Sequence, residues 1–191
     1  MNTSIKNISK VLATAALLAS AGFAHAAPAA PNGGSATANL AVSASITAKC
    51  TISTTAVAFG AYDPVVTNSS TGSNVTQNGE VVVACTKRAG SLWVGLGEGS
   101  NAVSGARNMV GAASTDKLAY SLVQPVANTV GAACPAFGAG TAWENTDSTA
   151  LNLETSTGVA TRTYKVCGEI AKGQDKSVDA YSDTVVATIN F

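Results

Sequence analysis

Residues 36–50 alternate without a break. Ala36, Ala38, Leu40, Val42, Ala44, Ile46, Ala48 and Cys50 fall on one side of a period-2 pattern, and the intervening positions are mostly Ser, Thr, Asn and Lys49. Such alternation marks a strand with one buried face. At about 3.3 Å per residue it spans about 50 Å, more than twice the usual strand. A strand of that length rarely belongs to one small domain.

The other end of the chain raises a matching question. In residues 181–191, "YSDTVVATINF", Tyr181, Val185, Ala187, Ile189 and Phe191 share one phase, while Ser182, Thr184, Thr188 and Asn190 share the other. Chain ends normally fray, so apolar side chains carried up to Phe191 are expected to be held by something outside the strand itself. Asp183 is a carboxylate on the inward phase, and a structural hydrogen bond is its expected fate because an unpaired buried carboxylate is costly.

The compartment is read from the first residues. Lys6 and Lys10 precede an apolar run, and Ala24-His25-Ala26 forms an A-x-A cleavage site, so residues 1–26 are expected to be a secretory signal peptide. That run is shorter than the roughly 20 residues a spanning helix needs, and the mature protein is expected not to be membrane-embedded. Of eleven Lys and Arg residues, Lys6 and Lys10 lie in this segment, as does the single histidine, His25. Nine basic residues then face eleven acidic ones. No basic patch argues for nucleic acid. A mature chain without histidine lacks the commonest general base and metal ligand, so neither an enzyme, a metal site nor a cofactor is expected.

All four cysteines, Cys50, Cys85, Cys134 and Cys167, come after the signal. An even count in an exported chain reads as disulfides, and no C-x-x-C spacing points to zinc. Three pairings are possible. We favour Cys50 with Cys85 and Cys134 with Cys167, each closing a loop worth roughly 3–4 kcal/mol against a typical domain stability of about 5–15 kcal/mol.

Composition is rich in Val, Thr, Ser, Ala and Gly, and only 12% of residues are charged. No amphipathic helix is evident beyond the signal. Strands are expected at residues 51–59, 79–86, 91–96, 118–123, 161–170 and 181–191, separated by Gly, Asn and Ser turns, with 130–158 as a long decorated loop. Short strands with two bridges predict an all-β fold, an antiparallel sandwich of immunoglobulin type. Tyr62 and Asp63 before Pro64 read as a turn with an Asp cap, and Trp93 and Trp143 as core.

Read in order, "FGAYDP" at 59–64, "VVVACT" at 81–86, "GARNM" at 105–109, "KLAYSL" at 117–122, Trp143 and the closing "YSDTVVATINF" resemble spore coat protein U domains, the subunits of archaic chaperone-usher pili. Asp179 stands where that family often has glycine, and a Cys134–Cys167 bridge adds to the family's common first one. The resemblance implies an incomplete immunoglobulin-like sandwich lacking its last strand. That strand would come from a periplasmic chaperone and then from the N-terminal extension of the next subunit, a strand addition to a sheet edge.

On this reading the chain comprises a signal peptide (1–26), an N-terminal extension with donor strand (27–43) and a pilin domain (44–191). Ala36, Ala38, Leu40 and Val42 are the donor side chains. Tyr181, Val185, Ala187, Ile189 and Phe191 form the groove and chaperone-contact strand, and residues from about Ala44 return to the subunit's own first strand. The implied partners are other pilin copies, the chaperone and an outer-membrane usher, and the implied role is a surface fimbrium serving adhesion and biofilm formation. Rival readings are a spore or cell-surface coat protein and a secreted carbohydrate-binding module. Ser114 and Lys117 fit the S-x-x-K of penicillin-recognising enzymes, but its companion motifs are absent.

Overall fold

Valine alternation in the stretch VVVAC places Val81, Val83 and Cys85 inside, with Val82 and Ala84 only partly covered. This segment is the middle of the longest strand in the computed structural model, which describes residues 35–191. The signal peptide and most of the Pro/Gly linker lie outside the described residues. The chain divides after Ser45 into two units. Described residues of the first, 35–45, carry no regular structure and are exposed.

The second unit, residues 46–191, is all-β and antiparallel. Its strands are β1 (Cys50–Thr55), β2 (Val75–Cys85), β3 (Leu92–Leu96), β4 (Asn108–Gly111), β5 (Lys117–Ala119), β6 (Ser121–Val123), β7 (Leu151–Leu153), β8 (Arg162–Ile170), β9 (Tyr181–Ser182) and β10 (Ala187–Asn190). One sheet runs β1-β2-β8-β6, a second β10-β3-β7, and a third β5-β4-β9. The first two bury one core: Val81 and Val83 of β2 and Tyr164 and Val166 of β8 meet Leu92, Val94 and Leu96 of β3 and Leu151 and Leu153 of β7, with Trp143 among them. Both faces of a sandwich are thereby used, the inner for the core and the outer for solvent or loops.

Both favoured disulfides are present. Cys50 and Cys85 are register partners across β1 and β2, 4.1 Å apart at Cα. Cys134 joins Cys167 on the outward phase of β8. That bridge folds the loop after β6 over the outer face, where Gly138 N–H donates to the buried Glu169 carboxylate at 3.1 Å.

Four expectations are corrected. The unit's own first strand begins at Cys50 rather than at about Ala44. β1 also stops at Thr55, because residues 56–59 leave the sheet to cover its inner face: a Cβ on Gly168 would overlap Val57 and Phe59, and one on Gly79 would meet Thr55 and Val57. The expected strands 118–123 and 181–191 are each two strands in different sheets, broken at Tyr120 and over residues 183–186. The two breaks face each other: the Tyr120 hydroxyl donates to the Asp183 carboxylate at 2.7 Å. Lastly, β4 forms in a turn-rich stretch and β7 in the expected long loop.

Arg107 of the GARNM motif locks the two halves of the core. It is 8% exposed, and its guanidinium donates to the carbonyls of Leu96, Gly97 and Trp143 at 2.7–3.0 Å. Arg107→Met would leave these carbonyls without that donor. The variant is predicted to lose roughly 3 kcal/mol, read as a lower urea midpoint at unchanged slope; an unchanged midpoint would show that the carbonyls find other partners.

Candidate functional site

β1 ends one sheet and β10 ends another, so each leaves an edge free of strand partners. The two strands approach each other, and where they diverge, at Thr54 and Thr55 of β1 and Ala187 of β10, a groove opens with a cavity of about 310 Å³. One wall is residues 54–57 with Phe59. The other is residues 181–183 with Val185 and Ala187, and Val81, Leu96, Leu122 and Val166 of the core reach into it. An apolar opening of this kind, flanked by two unpaired strand edges, can accept an extended chain: backbone groups pair along the edge while alternate side chains enter the cavity.

The sequence positions both walls. Glycine at 168 lets Phe59 settle on β8, and Phe59 then meets Tyr120 edge-on with ring centroids 6.2 Å apart. Tyr62 holds the rest of the FGAYDP segment, its hydroxyl donating to the Ala171 carbonyl at 2.9 Å and accepting from Gln174 N–H at 3.0 Å. Asp63 caps the turn after it as expected, accepting the amides of Val65, Val66 and Thr67, and these hold its carboxyl below the usual range.

On the other wall Asp183 also accepts the backbone and side-chain N–H of Asn101, at 3.1 and 3.0 Å. This is the structural hydrogen bonding expected of it. Gly99, with φ of +92°, is needed here because a Cβ would overlap the Asp183 carboxylate. Burial first, and then the bond to Asp183, pushes the Tyr120 phenol well above its ordinary range, so it stays a donor at any physiological pH.

Of the expected site residues, Tyr181, Val185 and Ala187 line the cavity. Ile189 is half-buried against the core beyond it, and Phe191 lies past β10 and is 54% exposed. Leu40 and Val42 are exposed at 88% and 87%, and Ala36 and Ala38 are exposed too. The anchors Asn101, Arg107 and Gln174 carry no periodic signal and were not legible, although GARNM marked the place of one.

Asp179 ties the segment before β9 to the turn between β4 and β5. Its carboxylate accepts the amides of Ser114 and Ala113 at 2.6 and 2.8 Å, which holds its pKa at about 2. Asp116 is lowered likewise, first by the Ser177 hydroxyl. A depressed carboxyl contributes stability that is full above its unfolded value, about 3.9, and is lost as pH falls towards its folded value. Stability is therefore predicted to decline between about pH 4 and pH 2, and Asp179→Asn to flatten that decline. Urea midpoints at pH 6, 4 and 2.5 test this, and parallel curves for the two proteins would refute it.

Comparison with known proteins agrees with this architecture. A family model, the Spore Coat Protein U domain, matches residues 36–188. The chain belongs to the Spore Coat Protein U domain family. Protein U of Myxococcus xanthus is 35% identical over 190 residues, covering 94% of this chain and 97% of that one. Among solved structures, a chain of the CsuC-CsuE chaperone-tip adhesion subunit pre-assembly complex, from archaic chaperone-usher Csu pili of Acinetobacter baumannii, superposes with a TM-score of 0.50 at 18% identity. The alignment covers 76% of this chain, which spans 40% of that one. The likeness to that structure is one of fold. Among the described residues no helix is long and apolar enough to cross a membrane, and no group of three or more His, Cys, Asp or Glu is placed to hold a metal.

Proposed function

We propose that the chain is a structural subunit of an extracellular chaperone-usher pilus and polymerises by donor-strand exchange. One observation carries the reading: an apolar groove between two unpaired strand edges occurs in the same chain as an exposed arm, residues 36–46, whose alternation suits that groove. The arm of one copy adds as a strand to the next, with Ala36, Ala38, Leu40 and Val42 directed inward. An uncovered groove would aggregate, which calls for a periplasmic chaperone to fill it before an outer-membrane usher passes the subunit to the surface. The fimbrium so formed serves adhesion and biofilm formation. The mature chain begins after residue 26, residues 27–43 are the extension and residues 44–191 the pilin domain, with Phe191 anchored by the chaperone.

Expressed with its chaperone and usher, the chain is predicted to be recovered in surface fibres seen by electron microscopy and labelled along their length. Recovery only as a soluble secreted monomer would refute the reading. A second reading, a spore or cell-surface coat protein, is favoured by the family's name and by the relative Protein U; labelling over a continuous surface layer, without fibres, would support it. The carbohydrate-binding reading loses its platform, since Trp143 is fully buried, its indole N–H donating to the Val94 carbonyl at 2.7 Å, and Trp93 is half-buried in β3.

A further inference from the structure

A second cavity, of about 620 Å³, adjoins the first and shares Val57, Phe59, Met109 and Tyr181 with it. Its walls are residues 58–62 with Pro64 and residues 176–180, and Leu118 and Ile170 face it from the core side. We propose that it is the far end of the same groove and receives Ile46 of the neighbouring copy, which makes the inserted arm longer than Ala36 to Val42. The proposal rests on the donor-strand reading above.

Three observations lead there. First, the arm ends at residue 46. Thr86 holds residues 47–49 to the arm's own domain, its amide donating to the Lys49 carbonyl at 2.8 Å and its hydroxyl accepting from Lys49 N–H at 3.1 Å and contacting the Thr47 carbonyl at 3.4 Å. Ile46, just before this clasp, is 87% exposed and outside β1. It is a large apolar side chain left uncovered among the described residues.

Second, the phase fits. Ile46 shares the phase of Leu40 and Val42 and lies four residues past Val42, about 13 Å along an extended chain. The two cavities adjoin at Phe59 and Tyr181, which line both, so one extended strand can serve both.

Third, size sets the direction. From the first cavity to the second, one wall runs forward from residue 54 to 64 and the other backward from 187 to 176. An arm running from β10 towards the second cavity is antiparallel to β10 and β9 and delivers isoleucine to the larger space. The reverse arm would deliver the methyls of Ala36 and Ala38 and leave most of that space unfilled, against the close packing of protein interiors.

Cysteine pairs test the register in assembled fibres. Ile46 is exposed and Lys176 is half-buried on the wall of the second cavity, so Ile46→Cys and Lys176→Cys are compatible with folding. Subunits carrying Ile46→Cys, assembled with subunits carrying Lys176→Cys and oxidised mildly, should crosslink about tenfold or more over the pair Leu40→Cys with Lys176→Cys, since the proposed register brings residue 46 and not residue 40 to that wall. Fibres that assemble, are blocked by Val42→Asp, yet show equal crosslinking of both pairs overturn the second cavity as the seat of Ile46 and leave the donor reading standing. Fibres indifferent to Val42→Asp overturn both.

Discussion

Val42→Asp is expected to abolish fibre formation and leave the subunit's own fold unchanged. Val42 is 87% exposed, and a carboxylate there stays in water while the subunit is alone. In the assembled state it would enter a groove whose core-side contacts are Val81, Leu96, Leu122 and Val166. None of these can hydrogen-bond it through a side chain. Burying an unpaired carboxylate costs several kcal/mol after relaxation, and a loss of about 4 kcal/mol is already about a thousandfold in affinity. The measurements are fibre yield by electron microscopy beside the urea midpoint of the isolated variant. Val42→Leu keeps the apolar character and should still assemble. Normal fibres from Val42→Asp would mean that residues near Val42 are not the donor.

The second large effect comes from supplying the missing strand in the same chain. A second copy of residues 36–48, joined after Phe191 by a short Gly/Ser linker, is expected to give a monomer that no longer assembles and resists heat. β10 ends at Asn190, so a short turn returns the appended segment antiparallel along the free edge of β10, the direction inferred from the two cavities. A tether of this length gives a local concentration on the order of millimolar. If one arm binds a neighbour with micromolar affinity, occupancy in cis adds about 4 kcal/mol, or roughly 10 °C in Tm for a domain of this size. A scrambled segment of the same composition keeps the hydrophobicity, destroys the alternation, and should add nothing. Equal melting and equal monomer content in the native and self-complemented chains would show the fold to be complete already, and the pilin reading would give way to an ordinary secreted sandwich.

What was legible locally was the all-β class, the two bridges, and the strands β2, β3 and β8, whose inward phase carries Val81 and Val83, Leu92 and Val94, and Tyr164 and Val166. Period-2 alternation and cysteine parity are properties of neighbouring residues, so a sequence displays them directly. Short elements were another matter. β4 and β7, of four and three residues, are too brief for a period to register, and they form by pairing with β5 and β9 and with β3.

Alternation alone does not say where a strand pairs, at either end of the chain. Residues 36–49 have the pattern of a strand but no partner within the described residues, and a period alone cannot supply the hydrogen bonds that make one. Residues 181–191 keep one phase throughout, yet they are divided between two sheets, and at the break Asp183 is bonded to Tyr120 and Asn101.

Local residue patterns therefore sufficed to specify inward-facing valine strands, two disulfides and an arm of alternating small and apolar side chains. It took the assembled fold to leave the edges of β1 and β10 unpaired on either side of a groove, and to bring Val57 and Phe59 onto its wall over Gly168 and Gly79. An edge is defined by which long-range pairings do not form, and no local pattern of residues encodes that.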